Sequence, residues 1–382
     1  MHFDFHATRS IVLERGGASN LAKRLWECGF KSVLIITDHG VLSAGLLNKA
    51  LTLFKELNLP VQVFSDVQAD PPVSVIEQAT AMAQTSRADC IVGFGGGSSM
   101  DVAKLVALLA SGKEVLADVY GVGMAKGPRL PLFLIPTTAG TGSEVTTISI
   151  VTVSESEKKG VVSPYLLPDL ALLDAELTLG LPPHVTAATG IDAMVHAIEA
   201  FTTKRLKNPI SDCLAKEALR LLSGNLHKAV KSGSDIEARE NMLLGACLAG
   251  MAFTNAPVAG VHALAYPIGA RFHVPHGLSN SLMLGSVMRF NLECAHAMYA
   301  ELGEIIKPGL QGSTLEQASQ LVDFLAGLSG ELGLPERLMD VGITAGDIEQ
   351  LASDAMLQTR LLINSPREIT LQDAVDLYRE AL

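Results

Sequence analysis

Asp192 and His196 stand four residues apart in ATGIDAMVHAIEAF (188–201). The apolar spacing of that run predicts a helix, so both side chains project from one face, a turn apart. Such a pair suits two ligands on one cation. Downstream, GVHALAYPIGARFHVPHG (260–277) supplies His262, His273 and His276. Pro267 and Gly269 predict a helix break that lets the later histidines fold back on the earlier one. Three or four imidazoles and a carboxylate can then converge. Any one of these histidines alone reads more readily as a hydrogen-bonded core or surface residue; the constellation is what points to a metal. One Asp with three His and no thiolate is a borderline-hard set that fits Fe(II), Zn(II), Mn(II), Co(II) or Ni(II). A single carboxylate and neutral imidazoles around a divalent ion leave net positive charge, complementary to an alkoxide.

A second group of residues suits an anionic cofactor. The apolar run CIVGFG (90–95) leads into Gly95, Gly96, Gly97, Ser98 and Ser99, then a helical stretch beginning near Met100 and Asp101. Strand, glycine turn and helix N-terminus in that order make an anion cradle, because backbone without Cβ atoms approaches a pyrophosphate closely and free N–H groups point at it. The same residues would also serve an ordinary tight turn capped by Ser98 or Ser99. Asp38 follows the run SVLIIT (32–37) at the carboxyl edge of the expected sheet, where it would accept hydrogen bonds from a ribose and repel a 2'-phosphate, favouring NAD over NADP. A helix N-cap explains Asp38 equally well. PTTAGTGSE (136–144) places the hydroxyls of Thr137, Thr138, Thr141 and Ser143 on a third loop at that edge. No GxGxxG with a downstream acidic residue is present, so the pattern is not the general dinucleotide fingerprint.

These loops need a scaffold. SVLIIT (32–37), PVQVF (60–64), CIVGFG (90–95) and PLFLIP (131–136) alternate with amphipathic segments at 44–57 and 73–86, the rhythm of a parallel α/β sheet with crossover helices. From about Pro182 the β-runs stop. Ala, Leu and Met then recur at helical spacing over 192–201, 210–222 and 237–253. The expectation is a nucleotide-binding α/β domain over 1–182 and an all-helical, metal-binding domain over 183–382, with Pro182 and Pro183 at the junction.

Composition narrows the function classes. With 382 residues, 48% of them hydrophobic, the chain can bury two cores, and a net charge of -11 argues against nucleic acid or an anionic membrane as partner. Five scattered cysteines form no CxxC pair and read as reduced packing residues. The start, MHFDFHATRS, does not resemble a secretory leader, and no run of roughly 20 apolar residues occurs. A cytoplasmic protein is expected.

GGGSSMD (95–101), PTTAGTGSE (136–144), AATGIDAMVHAIEAF (187–201), GVHALAYPIGARFHVPHG (260–277) and the tail NSPREIT (364–370) together resemble, in order and spacing, the iron-containing or group III alcohol dehydrogenases. The resemblance spans essentially the whole chain. It implies the dehydroquinate synthase-like fold of that family, a Rossmann-like domain followed by an all-helical one, in a homodimer or larger homo-oligomer. It carries one divalent metal, by family Fe(II), to Asp192, His196, His262 and His276. It places pyrophosphate on Gly95, Gly96, Gly97 and Ser98, with Asp101 in the same motif. Ribose falls to Asp38, and the nicotinamide side to Thr137, Thr138, Thr141 and Ser143. Lys159 and Leu177 align with further cofactor contacts.

Two positions depart from the family pattern. Tyr266 stands where many members carry a second histidine, four residues after His262, that is thought to relay a proton. A phenol with a reference pKa near 10 is a poorer relay at neutral pH, which leaves Tyr266, His273 or water for that task. Ile148 replaces a polar contact seen in some members, which implies a more apolar pocket. The implied reaction interconverts a primary alcohol and its aldehyde by hydride transfer with nicotinamide, the metal polarising the substrate oxygen. Other branches, such as a glycerol dehydrogenase, a maleylacetate reductase or a dehydroquinate synthase-like cyclase, fit the ligand quartet less well. A hydroxyacid dehydrogenase of the 4-hydroxybutyrate type would need a cationic anchor, for which Arg271 is the candidate. A nucleotide-binding protein without chemistry would have no use for the quartet.

Overall fold

A computed structural model describes residues 2–154 and 157–382. The chain forms two compact units, His6–Gly180 and, together with the residues before His6, Leu181–Leu382.

In the first unit, strands β1 (Ile11–Leu13), β2 (Val33–Ile36), β3 (Val61–Phe64), β4 (Cys90–Gly95), β6 (Leu132–Pro136) and β9 (Leu170–Leu173) pair in parallel in the order β1-β9-β6-β4-β2-β3. A second sheet orders β5 (Gly121–Val122), β8 (Glu157–Val162) and β7 (Ile148–Ser154), the last two as an antiparallel hairpin. The helices are α1 (Leu21–Glu27), α2 (His39–Ser43), α3 (Asn48–Glu56), α4 (Val73–Thr85) and α5 (Gly97–Leu109).

The near-continuous apolar strands follow from burial on both faces. Successive side chains alternate sides. Val33, Ile35, Cys90, Val92 and Phe94 therefore pack with Leu21 and Leu25 of α1 and Phe54 of α3. Leu34, Ile36, Ile91, Leu132 and Leu134 pack instead with Ile76 of α4 and Leu105 of α5.

The strand order sets the site. From β2 the chain moves outward to β3, then crosses to β4 on the other flank of β2. The loops after β2 and β4 therefore diverge at their carboxyl ends, and that crevice is where open α/β sheets hold ligands.

All four strands expected from sequence form. β1 and β9 were not anticipated, since IVL and LALL are too short or too poor in β-branched residues to stand out. The helical pattern at 44–57 resolves into α3 from Asn48, while α2, capped by Asp38, lies before it.

The second unit is helical: α6 (Pro183–Thr202), α7 (Pro209–Lys231), α8 (Ile236–Asn255), α9 (Gly260–Phe272), α10 (His276–Ile306), α11 (Thr314–Glu331), α12 (Ile348–Met356), α13 (Thr359–Leu362) and α14 (Leu371–Ala381). Pro183 sits in the first turn of α6, where its missing N–H has no partner to lose. α6 is almost wholly buried because small residues let its neighbours approach. A Cβ on Gly190 would lie 2.5 Å from Leu226 and 2.8 Å from Met242. A Cβ on Gly277, at the start of α10, would stand 2.5 Å from the Ala188 carbonyl oxygen. That close approach brings the first turn of α10 alongside Asp192. No single helix among the described residues is long and apolar enough to cross a membrane.

Candidate functional site

Four side chains from three helices meet. Asp192 and His196 come from α6, His262 from α9 and His276 from the first residue of α10, and each offers a ligand atom within 4.8 Å of the others. Nε2 of His196 and of His276 lie 3.9 and 3.7 Å from Asp192 Oδ1. The rings of His196 and His262 stack at 4.8 Å, and Phe253 stacks on the far side of His196 at 4.4 Å. Asp192, His196 and His262 are buried, whereas the His276 side chain is 42% exposed, so the cluster opens on the His276 side. Burial pushes the Asp192 carboxyl up, but His196, His276, His262 and the Asn280 amide outweigh it and hold its pKa below the ordinary value.

The donor set fits a divalent cation. A buried carboxylate faces three imidazoles, and two further contacts fix the His262 ring. Glu199 Oε2 lies 2.6 Å from His262 Nδ1, and Asn280 Nδ2 lies 3.2 Å from His262 Nε2. Sequence reasoning passed over both residues. Glu199 was legible, because 192, 196 and 199 form one stripe of a helix; Asn280, one turn beyond His276, carried no signal beyond its spacing.

Of the remaining histidines in the motif, His273 does not join the cluster. It ends α9 in the left-handed region with φ 54 and is exposed, because the chain must turn there before α10 begins. Tyr266 does lie beside the ligands, its ring 6.4 Å from His262 and 5.8 Å from His276. Arg271 donates through Nε to Asp354 and is thereby neutralised near the C-terminal end of α9.

In the sheet unit, a pocket at the crevice is lined by Asp38, Val67, Ala69, Gly96, Gly97 and Ser98, among others. Asp38 serves the helix as well as the pocket: Oδ1 accepts from the Val41 N–H at 3.0 Å, capping α2, while Oδ2 accepts from Ser99 at 3.3 Å. The Gly95 carbonyl accepts from the Thr137 N–H at 3.0 Å, which ties the threonine loop to the glycine turn. Gly97 packs against Thr141, and Gly96 faces Thr138.

Asp101 and Ser143 turn inward instead. Ser143 donates to Asp101 at 2.6 Å, and the buried Lys104 donates to Ser143, Thr146 and the Ile148 carbonyl at 2.8–2.9 Å. Burial pushes the Lys104 pKa down while Asp101 and Glu144 oppose it. Three donors on three acceptors staple the loop to α5, a bond pattern that the positions of Asp101 and Ser143 in the sequence did not reveal. Leu177 lies in the hydrophobic core, and the Lys159 ammonium sits 5.6 Å from the Tyr120 ring centroid.

Residues 8–175 match the iron-containing alcohol dehydrogenase family and residues 186–382 its C-terminal part. The chain belongs to the iron-containing alcohol dehydrogenase family. It is 40% identical to long-chain-alcohol dehydrogenase 1 of Geobacillus thermodenitrificans over 96% of this chain and 93% of that one. Lactaldehyde reductase of Escherichia coli is 34% identical over 98% of this chain and 100% of its own. The crystal structure of a 1,3-propanediol oxidoreductase superposes with TM-score 0.95 at 33% identity, covering both chains completely. As a member of this family the protein is an oxidoreductase of the alcohol dehydrogenase type, for which the family implies a metal and a nicotinamide dinucleotide.

Proposed function

We propose that this chain interconverts a primary alcohol and its aldehyde, with NAD held by the unit His6–Gly180 and one divalent ion, Fe(II) by family, held by Asp192, His196, His262 and His276. The observation that carries this reading is the convergence of the four ligand atoms within 4.8 Å. When bound, the ion supplies Lewis acidity to the substrate oxygen and the dinucleotide exchanges the hydride. The protein's own share is positioning. Gly96, Gly97 and Ser98 open the N-terminus of α5 toward the pyrophosphate. Asp38 faces the same pocket, where its charge favours a ribose 2'-hydroxyl over a 2'-phosphate and so NAD over NADP. Tyr266, beside His262 and His276 on the open side of the cluster, is placed to pass the hydroxyl proton.

The relatives named above act, by their names, on long-chain alcohols, lactaldehyde and 1,3-propanediol, so a primary alcohol or its aldehyde is the substrate class to test first. A hydroxyacid substrate loses its one candidate anchor, since Arg271 is already paired with Asp354. Exposed thiols at Cys28, Cys213 and Cys294, none in a disulfide among the described residues, support a reducing, cytoplasmic setting. The edge strand β1, with Ile11 and Leu13 at 36% and 40% exposure, supports assembly into a homodimer or larger oligomer.

The test is a screen of alcohols with NAD and NADP, read at the reduced-nicotinamide absorbance. The protein is first stripped with a chelator and reloaded with Fe(II), Zn(II), Co(II), Ni(II) or Mn(II). Metal-independent turnover would refute the assignment of the quartet.

A further inference from the structure

We propose that Glu199 is a positioning residue of the metal site, holding the His262 ring in one tautomer and one orientation so that Nε2 faces Asp192 and His276 as a bare electron pair. The inference rests on the quartet being the metal site.

Glu199 projects from α6 one turn beyond His196 and is 4% exposed. Both of its oxygens meet consecutive residues in the first turn of α9. Oε1 accepts from the Val261 N–H at 2.7 Å and Oε2 from His262 Nδ1 at 2.6 Å. With Oε2 accepting from the ring, Nδ1 carries the hydrogen and Nε2 does not.

The other side of the ring points to the same answer. Asn280 Nδ2 lies 2.6 Å from Asp192 Oδ1, which orients the amide with its nitrogen toward the cluster, because the reverse would set oxygen against oxygen. That nitrogen only donates: one hydrogen goes to Asp192 and the other to His262 Nε2 at 3.2 Å or His276 Nε2 at 3.3 Å, so a hydrogen on His262 Nε2 would face a donor. Two contacts from two helices thus select the tautomer that a metal ligand needs.

A second consequence concerns charge. Asp192 at the cluster and Glu199 behind the His262 ring place two buried carboxylates at the site. Charge drawn through the imidazole also makes Nε2 a better donor.

Glu199 additionally caps α9 through Val261, so a test must separate ring positioning from helix capping. Glu199→Gln does so. The amide has one accepting oxygen and can serve Val261 or His262 but not both, at unchanged volume. Metal binding would be measured by calorimetry with Zn(II) and Co(II) on native protein, Glu199→Gln and Glu199→Asp, together with NADH binding by fluorescence. The tautomer would be read from long-range proton–nitrogen correlations of 15N-histidine-labelled, metal-free native protein. Glu199→Gln is expected to bind the ion 10- to 100-fold more weakly, the range that such supporting partners typically control. NADH binding should be unchanged and Glu199→Asp should recover part of the affinity. Metal binding by Glu199→Gln within twofold of native overturns the proposal. So does an Nε2-protonated His262 in the native protein, a measurement that stands even if the variant does not fold. A native chain that binds neither ion overturns the quartet itself.

Discussion

Gly97 and Thr141 touch so closely that a methyl group has no room between them: a Cβ on Gly97 would lie 2.8 Å from Thr141 Cγ2 and 3.1 Å from its Oγ1. The glycine turn after β4 and the threonine loop after β6 are thus pressed together, and they are also hydrogen-bonded from Thr137 to Gly95. Gly97→Ala should push the two loops apart and weaken NADH binding by about tenfold, ~1.4 kcal/mol. Metal content should stay native. Fluorescence titration with NADH checks the first expectation, and unchanged affinity would show that the loop contact does not shape the cofactor site.

His262 is held from both sides of its ring. His262→Ala should abolish stoichiometric metal binding and turnover while leaving NADH affinity within about twofold of native. Chelator treatment of the native protein should reproduce the loss of activity, and reloading should reverse it in the native protein alone. Elemental analysis beside the NADH titration distinguishes lost metal from lost fold.

Tyr266 and His273 make opposite predictions as proton relays. Tyr266 stands within ring contact of two ligands, whereas His273 is exposed at the end of α9. Tyr266→Phe should lower kcat by roughly 10²-fold, the lower range for a positioned acid–base group, with metal content retained. His273→Ala should leave kcat near native. If the order reverses, the relay runs through the exposed histidine instead.

Glu144 gives the sheet unit a pH-dependent stability. Burial pushes its carboxyl from 4.5 to about 7, against the opposing influence of a backbone hydrogen bond and Lys104. Between those two values the folded chain keeps a proton that the unfolded chain releases, so stability falls as pH rises through that window and is highest below it. The full effect of this one group is about 3 kcal/mol at 1.36 kcal/mol per unit. Denaturant unfolding of native protein and Glu144→Gln from pH 4.5 to 8 should show a difference that grows with pH and levels off near 8. A constant difference would remove Glu144 as its source.

Much of this protein was legible without coordinates, because local periodicity is a local property. The runs at 32–37, 60–64, 90–95 and 131–136 announce buried parallel strands by their apolar continuity. Glycines after a strand announce an anion cradle, and Asp192 with His196 share a face wherever that segment is helical. What remained open depends on distance in sequence. His276 joins Asp192 because Gly277 lets α10 approach α6 at Ala188, a contact between segments some 90 residues apart. The His262 tautomer is selected by Glu199 and Asn280, from two other helices. Ser143 faces inward because the buried Lys104 needs acceptors on three sides, and Asp101 because it accepts from Ser143 and from the Ile150 N–H. His273 leaves the cluster because α9 ends in a left-handed turn at that residue. Residue type and spacing thus determined which groups were available; the packing of helices and the demand that every buried charge find a partner decided which of them meet.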